Sequence, residues 1–208
     1  MSIATHQIDL KFNQDWSKVI NLYNKISKKW DNHELTTSFH SATEDWVKEN
    51  DGGVELFRVG NAGYFLPMDE LTKNSSVGGS ISGPILELLL PWTKQLRKDM
   101  EEIDLSSIMF LECNQDMIPH VDGKPLGVSH HCRINYMIND CDSVTCVDNN
   151  GTIESYPTVA GTAWLLDVSK LHWVNNNQTR HTFQLTFHRP FDEILNWFNS
   201  RPNLSYGQ

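Results

Sequence analysis

An α+β domain built on a double-stranded β-helix, with helices placed before it in the chain, is the fold that this 208-residue sequence predicts. Three observations point to it. After Asp104 the chain breaks into short runs of β-type residues separated by turn residues, and this texture lasts to about Phe187. Before Asp104 the apolar residues recur at helical steps of three and four. Along the strongest strand candidates polar and apolar residues alternate with a period of two, so each strand has one polar and one apolar face. Eight short strands with one helical layer suit a jelly-roll, cupin-like barrel, the apolar face lying on the helices and the polar face enclosing a cavity.

The totals agree with one folded domain over 1–208. Hydrophobic residues make up 39% of the chain and include seven Trp and nine Phe, enough for a substantial core. The formal net charge of -9 sets a prior against nucleic acid, which needs a surface of Lys and Arg. The basic clusters, Lys28-Lys29 and Lys94 to Lys98, lie in amphipathic helical patterns and read as solvated faces. Cys113, Cys132, Cys141 and Cys146 contain no CxxC pair, which disfavours a zinc cage or a redox motif. Residues 1–10 lack a basic region followed by an apolar run, and the run Ile85 to Leu90 is far short of the roughly 20 residues needed to cross a bilayer. A cytoplasmic protein without a membrane span is expected.

Residues 1–104 are expected to be a mainly helical scaffold with a short β-hairpin. Trp16, Val19, Ile20, Tyr23, Ile26 and Trp30 form the buried stripe of a helix over Asn13 to Trp30. Val54 to Val59 and Gly63 to Pro67 read as strands joined through Gly60-Asn61. Lys73 to Gly83, rich in Ser and Gly, has neither a GxGxxG spacing nor a Gly-Lys-Ser/Thr ending, so a surface loop is expected rather than a phosphate cradle. Pro84 then opens a helix with the stripe Ile85, Leu88, Leu89, Trp92, Leu96 and Met100, which Pro91 should kink or restart.

The jelly-roll core is expected over 105–190. Its candidate strands are Ser107 to Cys113, Met117 to Val121, Cys132 to Ile138, Ser143 to Val147, Thr152 to Ser155, Thr162 to Leu166, Leu171 to Asn175 and Arg180 to Phe187. A helix on Phe191, Ile194, Leu195 and Phe198 closes the region 190–200. The alternation puts His120 and Asp122 on one face. It sets Arg133, Asn135 and Met137 against Cys132, Ile134, Tyr136 and Ile138, and Arg180, Thr182 and Gln184 against His181, Phe183, Leu185 and Phe187.

Two imidazoles and one carboxylate on one side of a metal form the facial ligand set of non-haem Fe(II) oxygenases. His120 and Asp122 would supply two adjacent ligands from one strand, and His172 the third from a partner strand. Three ligands leave positions for a chelating 2-oxo acid and for O2, which a closed four-ligand zinc site does not. An HxD pair is weak evidence by itself. Arg180, eight positions after His172 and past the turn Asn176-Asn177-Gln178, adds a guanidinium able to hold a carboxylate bidentately.

Together these residues resemble the Fe(II)- and 2-oxoglutarate-dependent oxygenases, particularly the aspartyl/asparaginyl β-hydroxylase-like branch. The resemblance covers about Leu111 to Pro190 and rests on Pro119-His120-Val121-Asp122, on Cys132-Arg133-Ile134-Asn135, and on His172, Val174 and Asn176 followed by Arg180. It implies Fe(II) held by His120 and His172, and 2-oxoglutarate bound by Arg180 with help from Arg133, with Asn135 as a further polar contact. Asp122 stands where some members of that branch lack a carboxylate, which brings the site closer to the general triad of the superfamily. The step from His172 to Arg180 is short for the family and leaves open whether Arg180 or Arg133 carries the main salt bridge.

The reaction implied is hydroxylation of an unactivated C–H, most naturally on an amino-acid side chain, free or in a peptide or protein, coupled to conversion of 2-oxoglutarate and O2 into succinate and CO2. Ascorbate is an expected stimulant. The loops Lys73 to Gly83 and Gly123 to Ser129 are where substrate choice is expected. Trp164, Trp173, His181 and His188 read as packing or structural residues, and His130-His131 as either a loop pair over the substrate or an exposed pair. A nucleic-acid dealkylating oxygenase shares the HxD and distal His, but the acidic balance disfavours it. A cupin-like metal-binding or isomerase module shares the barrel, and would have no need of an arginine clamp.

Overall fold

The computed structural model describes residues 3–21, 23–24, 64–67, 79–82, 84–114, 116–122, 131–176 and 178–207. Two antiparallel sheets dominate it. The strands are β1 (Thr5–Ile8), β2 (Leu10–Asn13), β3 (Tyr64–Pro67), β4 (Gly79–Ser82), β5 (Leu105–Cys113), β6 (Met117–His120), β7 (Cys132–Met137), β8 (Cys141–Asn149), β9 (Thr152–Thr158), β10 (Ala163–Leu166), β11 (His172–Asn176), β12 (Arg180–Phe187) and β13 (Leu204–Gly207). A seven-stranded sheet runs β1-β10-β7-β12-β5-β4-β3, a four-stranded sheet runs β6-β11-β8-β9, and β13 pairs with β2 in parallel. From β5 to β12 the chain passes back and forth between the two larger sheets. Their inner faces meet, since Arg180 of β12 reaches Thr145 of β8 and Asn135 of β7 reaches Tyr156 of β9.

The period-two pattern decides which face goes where. On the outer face of the seven-stranded sheet, Ile134 of β7, Phe183, Leu185 and Phe187 of β12 and Phe110 of β5 are all buried. They pack in one core with Trp16 and Val19 and with the helices α1 (Pro84–Leu89), α2 (Thr93–Asp99) and α3 (Phe191–Asn199), through Leu86, Leu96, Ile194 and Phe198. Each such side chain contributes about 1.5–3 kcal/mol of transfer free energy. Phe12 is stacked on Trp92 and edge-on to Phe183, which ties β2, the start of α2 and β12 together.

Helical residues begin at 17 rather than at the predicted Asn13, which ends β2 instead, and Ile20 donates to the Trp16 carbonyl. Pro91 does separate two helices. It has no N–H to continue the first, and Thr93 restarts the chain by returning both its N–H and its hydroxyl to the Leu90 carbonyl. Asp104, at φ 57°, then turns the chain out of a 3-10 segment and into β5, a left-handed conformation that Asp tolerates better than most residues.

Part of the loop expected over Lys73 to Gly83 is a strand. Within Lys73 to Gly83, residues 79–82 form β4 rather than loop, because Ser80 to Ser82 pair with Met109 to Leu111 at the open side of β5. Strand β3 pairs with β4, while the expected partner Val54 to Val59 lies outside the described residues. Among the described residues of 1–104, β1, β2, β3 and β4 stand beside the helical segments. The predicted helix beyond residue 24 and the loop Gly123 to Ser129 also lie outside the described residues. No helix among the described residues is long and apolar enough to cross a membrane.

Candidate metal centre

His120 ends β6 and His172 begins β11, and antiparallel pairing sets the two residues directly opposite each other. Their rings lie 4.3 Å apart between centroids. Asp122, two residues past His120, turns Oδ1 toward both: 3.4 Å to His120 Nε2 and 3.9 Å to His172 Nε2. One ligand atom from each of His120, Asp122 and His172 falls within 4.8 Å of the others. The bend just past β6 and the register match between β6 and β11 thus gather three ligands, of which His172 lies 50 residues beyond Asp122 in the sequence.

The states of His172 and Asp122 suit a divalent cation. His172 is buried, and its Nδ1 lies 2.9 Å from the Lys170 carbonyl, an acceptor that fixes the ring proton there. Its Nε2 is consequently bare, and it is buried with no hydrogen-bond partner. Burial pushes the His172 pKa down to about 4, against the pull of the Asp122 charge, so the ring is neutral at pH 7 and its approach to Asp122 is not an ion pair. For Asp122 burial acts to raise the pKa, but the Arg133 guanidinium and the two imidazoles outweigh it and hold the carboxyl well below the usual range. Two imidazole nitrogens, one of them the neutral and orphaned His172 Nε2, and an ionised carboxylate oxygen form a donor set that fits Fe(II).

Arg133 stands behind the carboxylate, with Nη2 2.6 Å from Asp122 Oδ2. The contact is a close ion pair without aligned hydrogen-bond geometry at Oδ2. The resemblance implied a cosubstrate role for Arg133; the structure engages its guanidinium with a candidate ligand and leaves its Nε without a partner.

Arg180 opens β12 and points between the sheets, where it is 1% exposed. Its Nη1 donates to Thr145 Oγ1 at 3.0 Å, its Nε has no partner, and among the described residues no carboxylate pairs with it. Thr145 sits two positions along β8 from Val147, the residue that faces His172 across the ladder. At strand rise this is about 7 Å. Asn135 donates its amide to Tyr156 Oη at 2.9 Å, and Tyr156 stacks on Trp164 with centroids 4.8 Å apart and planes 6° from parallel. Burial pushes the Tyr156 phenol up, so it stays protonated, although the Arg180 charge pulls the other way.

The same wall carries further unpartnered polar atoms: Asn135 Oδ1, Trp164 Nε1, Thr182 Oγ1 and Thr186 Oγ1. Buried polar atoms are rarely left alone, so this lining suits a polar guest between the sheets. Sequence reasoning found His120, Asp122, His172, Arg133, Asn135 and Arg180, and missed Thr145 and Tyr156. Thr145 carried a usable signal, since it alternates with Ser143 and Val147. Tyr156 lay just past the predicted strand end at Ser155, although Glu154, Tyr156 and Thr158 share a face of β9.

Outside this region, His181 pairs with Glu112 at 2.9 Å on the other face of β12, in the structural role expected of it. The four cysteines are free thiols.

No protein-family model matches the chain, and comparison with curated proteins finds no match. Similar solved structures include a prolyl hydroxylase from Trichoplax adhaerens in complex with a hypoxia inducible factor oxygen degradation domain peptide fragment, at 9% identity, 88% of this chain, 83% of that chain and a TM-score of 0.43. A Pseudomonas putida prolyl-4-hydroxylase follows at 14% identity, 51% of this chain, 68% of that chain and a TM-score of 0.38. A 2OG-Fe(II) oxygenase family oxidoreductase from Burkholderia pseudomallei matches at 10% identity and a TM-score of 0.35, over 41% of this chain and 45% of that chain, so the likeness spans less than half of that protein. These likenesses do not single out the aspartyl/asparaginyl β-hydroxylase-like branch.

Proposed function

We propose that the chain is an Fe(II)- and 2-oxoglutarate-dependent oxygenase that hydroxylates an unactivated C–H, on an amino-acid side chain that is free or part of a peptide or protein. The crossing of successive strands between two facing sheets supports a double-stranded β-helix as its scaffold, in a single domain. His120, Asp122 and His172 would hold the metal, and iron there supplies the activation of O2. In the overall balance one oxygen atom enters the product hydroxyl and the other enters succinate, as 2-oxoglutarate loses CO2.

The observation that carries this reading is Arg180: a buried cation without a carboxylate among the described residues, at the Thr145 level of the wall, about two strand residues along from the His172 level. A five-carbon dicarboxylate bridges such a gap, with its keto-acid end toward the metal ligands and its far carboxylate on Arg180. Thr145 and Tyr156 hold hydroxyls beside the guanidinium, and Asn135 steadies the Tyr156 phenol. Arg133 keeps Asp122 ionised and ready to ligate. His172, neutral and with Nδ1–H committed to the Lys170 carbonyl, presents Nε2 without first releasing a proton. A sugar-binding or purely structural barrel gives Arg180 nothing to hold.

The test is an anaerobic titration of the purified chain with Fe(II) and then 2-oxoglutarate, followed by exposure to O2. A charge-transfer absorption on adding 2-oxoglutarate, then succinate release, is expected; Arg180→Ala should weaken 2-oxoglutarate binding while Fe(II) binding persists. No absorption change and no succinate would end this reading. Mass spectrometry for a +16 product over amino acids and peptides would then identify the substrate.

A further inference from the structure

Two of the three candidate ligands, Asp122 and His172, are held by one turn. Residues 167–171 join β10 to β11. The Val168 carbonyl accepts the Asp122 N–H at 3.1 Å, and the Lys170 carbonyl lies 2.9 Å from His172 Nδ1. The turn therefore fixes the backbone of one candidate ligand and both the tautomer and the tilt of another.

A closed ring of polar contacts holds this turn in place. The Asp167 N–H donates to the Ala4 carbonyl at 2.9 Å. Lys170 Nζ lies 3.8 Å from Asp167 Oδ2 and also donates to Asn149 Oδ1. Asn149 Nδ2 donates to Glu154 Oε1 at 2.6 Å. Glu154 Oε2 then accepts the N–H groups of Ala4 and Thr5, both at 2.8 Å, returning the path to the residue where it began. The ring joins β1, the β8–β9 hairpin and the turn, and Lys170 is the member that spans from hairpin to turn.

We propose that this ring positions the metal centre, with Lys170 as its principal positioning residue. Its side chain is partly exposed, and ion pairs of that kind add little to global stability. The geometry it fixes matters more locally. A turn free to shift would loosen the Val168 and Lys170 carbonyls, letting His172 exchange tautomers and Asp122 drift. Partners behind metal ligands commonly change metal affinity by about 10–100-fold.

The proposal rests on the metal-centre reading, and cobalt(II) titration of the full chain separates the two. The d–d absorption of cobalt reports both affinity and coordination geometry. Lys170→Met is expected to weaken cobalt(II) binding by about 10–100-fold and to alter the d–d bands, with the metal-free melting temperature close to that of the parent. Lys170→Arg, which keeps a cationic donor, should recover most of the affinity. If Lys170→Met fails to fold, Asn149→Ala releases the same ammonium and carries the same expectation. Parent-like affinity and bands in a folded Lys170→Met or Asn149→Ala chain would overturn the ring's role while leaving the metal centre standing. A parent chain that binds no cobalt(II), or one whose binding survives His172→Ala, would overturn both.

Discussion

Arg133 engages Asp122 through one carboxylate oxygen and leaves the other to the histidines: Nη2 meets Oδ2 at 2.6 Å while Oδ1 faces His120 and His172 at 3.4 and 3.9 Å. Both side chains are mostly buried, so removing Arg133 strands a carboxylate in a poorly solvated place. Breaking such a pair costs about 3–5 kcal/mol. A cation bound at the histidines repels Arg133 and replaces it as the counter-charge of Asp122. Arg133→Met should therefore melt well below the parent without metal, and cobalt(II) should raise its melting temperature by more than it raises that of the parent. Equal metal-induced shifts in the two proteins would show that Arg133 does not oppose the metal charge.

His172 predicts an acid limit for the metal-free fold. Its pKa falls from 6.5 to about 4 because burial disfavours the imidazolium. Between those values the unfolded chain binds the proton that the folded chain refuses, so stability rises with pH across this window and is lost as pH falls through it. The full shift corresponds to a loss on the order of 3 kcal/mol. Asp122, with its pKa held low, gives up its own contribution at more acidic pH, below the ordinary carboxylate value near 3.8. Urea denaturation at several pH values between 4 and 7 should show the parent losing this stability and His172→Gln not losing it. Parallel curves for the two would refute the assignment.

Much of the site was legible because strand alternation is a local property. Arg133 and Asn135, or Arg180 and Thr182, share a face whatever the rest of the chain does, and the register later aligned Gln184 with Asn135 as that pattern requires. Non-local pairings were not legible. Strand β1 has four residues and forms by lying beside β10, while β13 lies beside β2 from the opposite end of the chain. Their sequences carry no more β signal than a loop, and partners supply the rest. Strand β4 was hidden by its Ser and Gly content, which intrinsic preference assigns to a loop and pairing with β5 overrides. The Arg133–Asp122 pair was missed for a different reason: alternation puts two side chains on one face but does not say which neighbour each will touch.

Tyr156 and Asn135 form a buried hydrogen bond whose loss should be measurable without any ligand. Tyr156→Phe keeps the ring that stacks on Trp164 and removes the oxygen that accepts from Asn135 Nδ2. The Asn135 amide, whose Oδ1 already lacks a partner, is then unsatisfied at both ends. A loss of about 1–3 kcal/mol is expected by urea denaturation. Asn135→Leu combined with Tyr156→Phe should recover part of it, because both polar partners are then gone. A double variant whose loss equals the sum of the single losses would mean the two residues are not coupled.

Arg180 should make the ligand-free protein less stable than its shape allows. A guanidinium 1% exposed, held among the described residues by one hydroxyl and with Nε unpaired, loses more hydration than those contacts return. Replacing it with an apolar side chain of similar length removes that cost, and substitutions of this kind stabilise by about 1–4 kcal/mol where packing is kept. Arg180→Met is therefore expected to raise the melting temperature of the ligand-free chain, at about 2–4 °C for each kcal/mol. The parent should in turn gain stability from 2-oxoglutarate in the presence of a divalent metal, and Arg180→Met should gain none. This crossing of the two melting curves separates an arginine kept for an anionic guest from one kept for the fold. In the second case Arg180→Met would melt lower than the parent with or without the dicarboxylate.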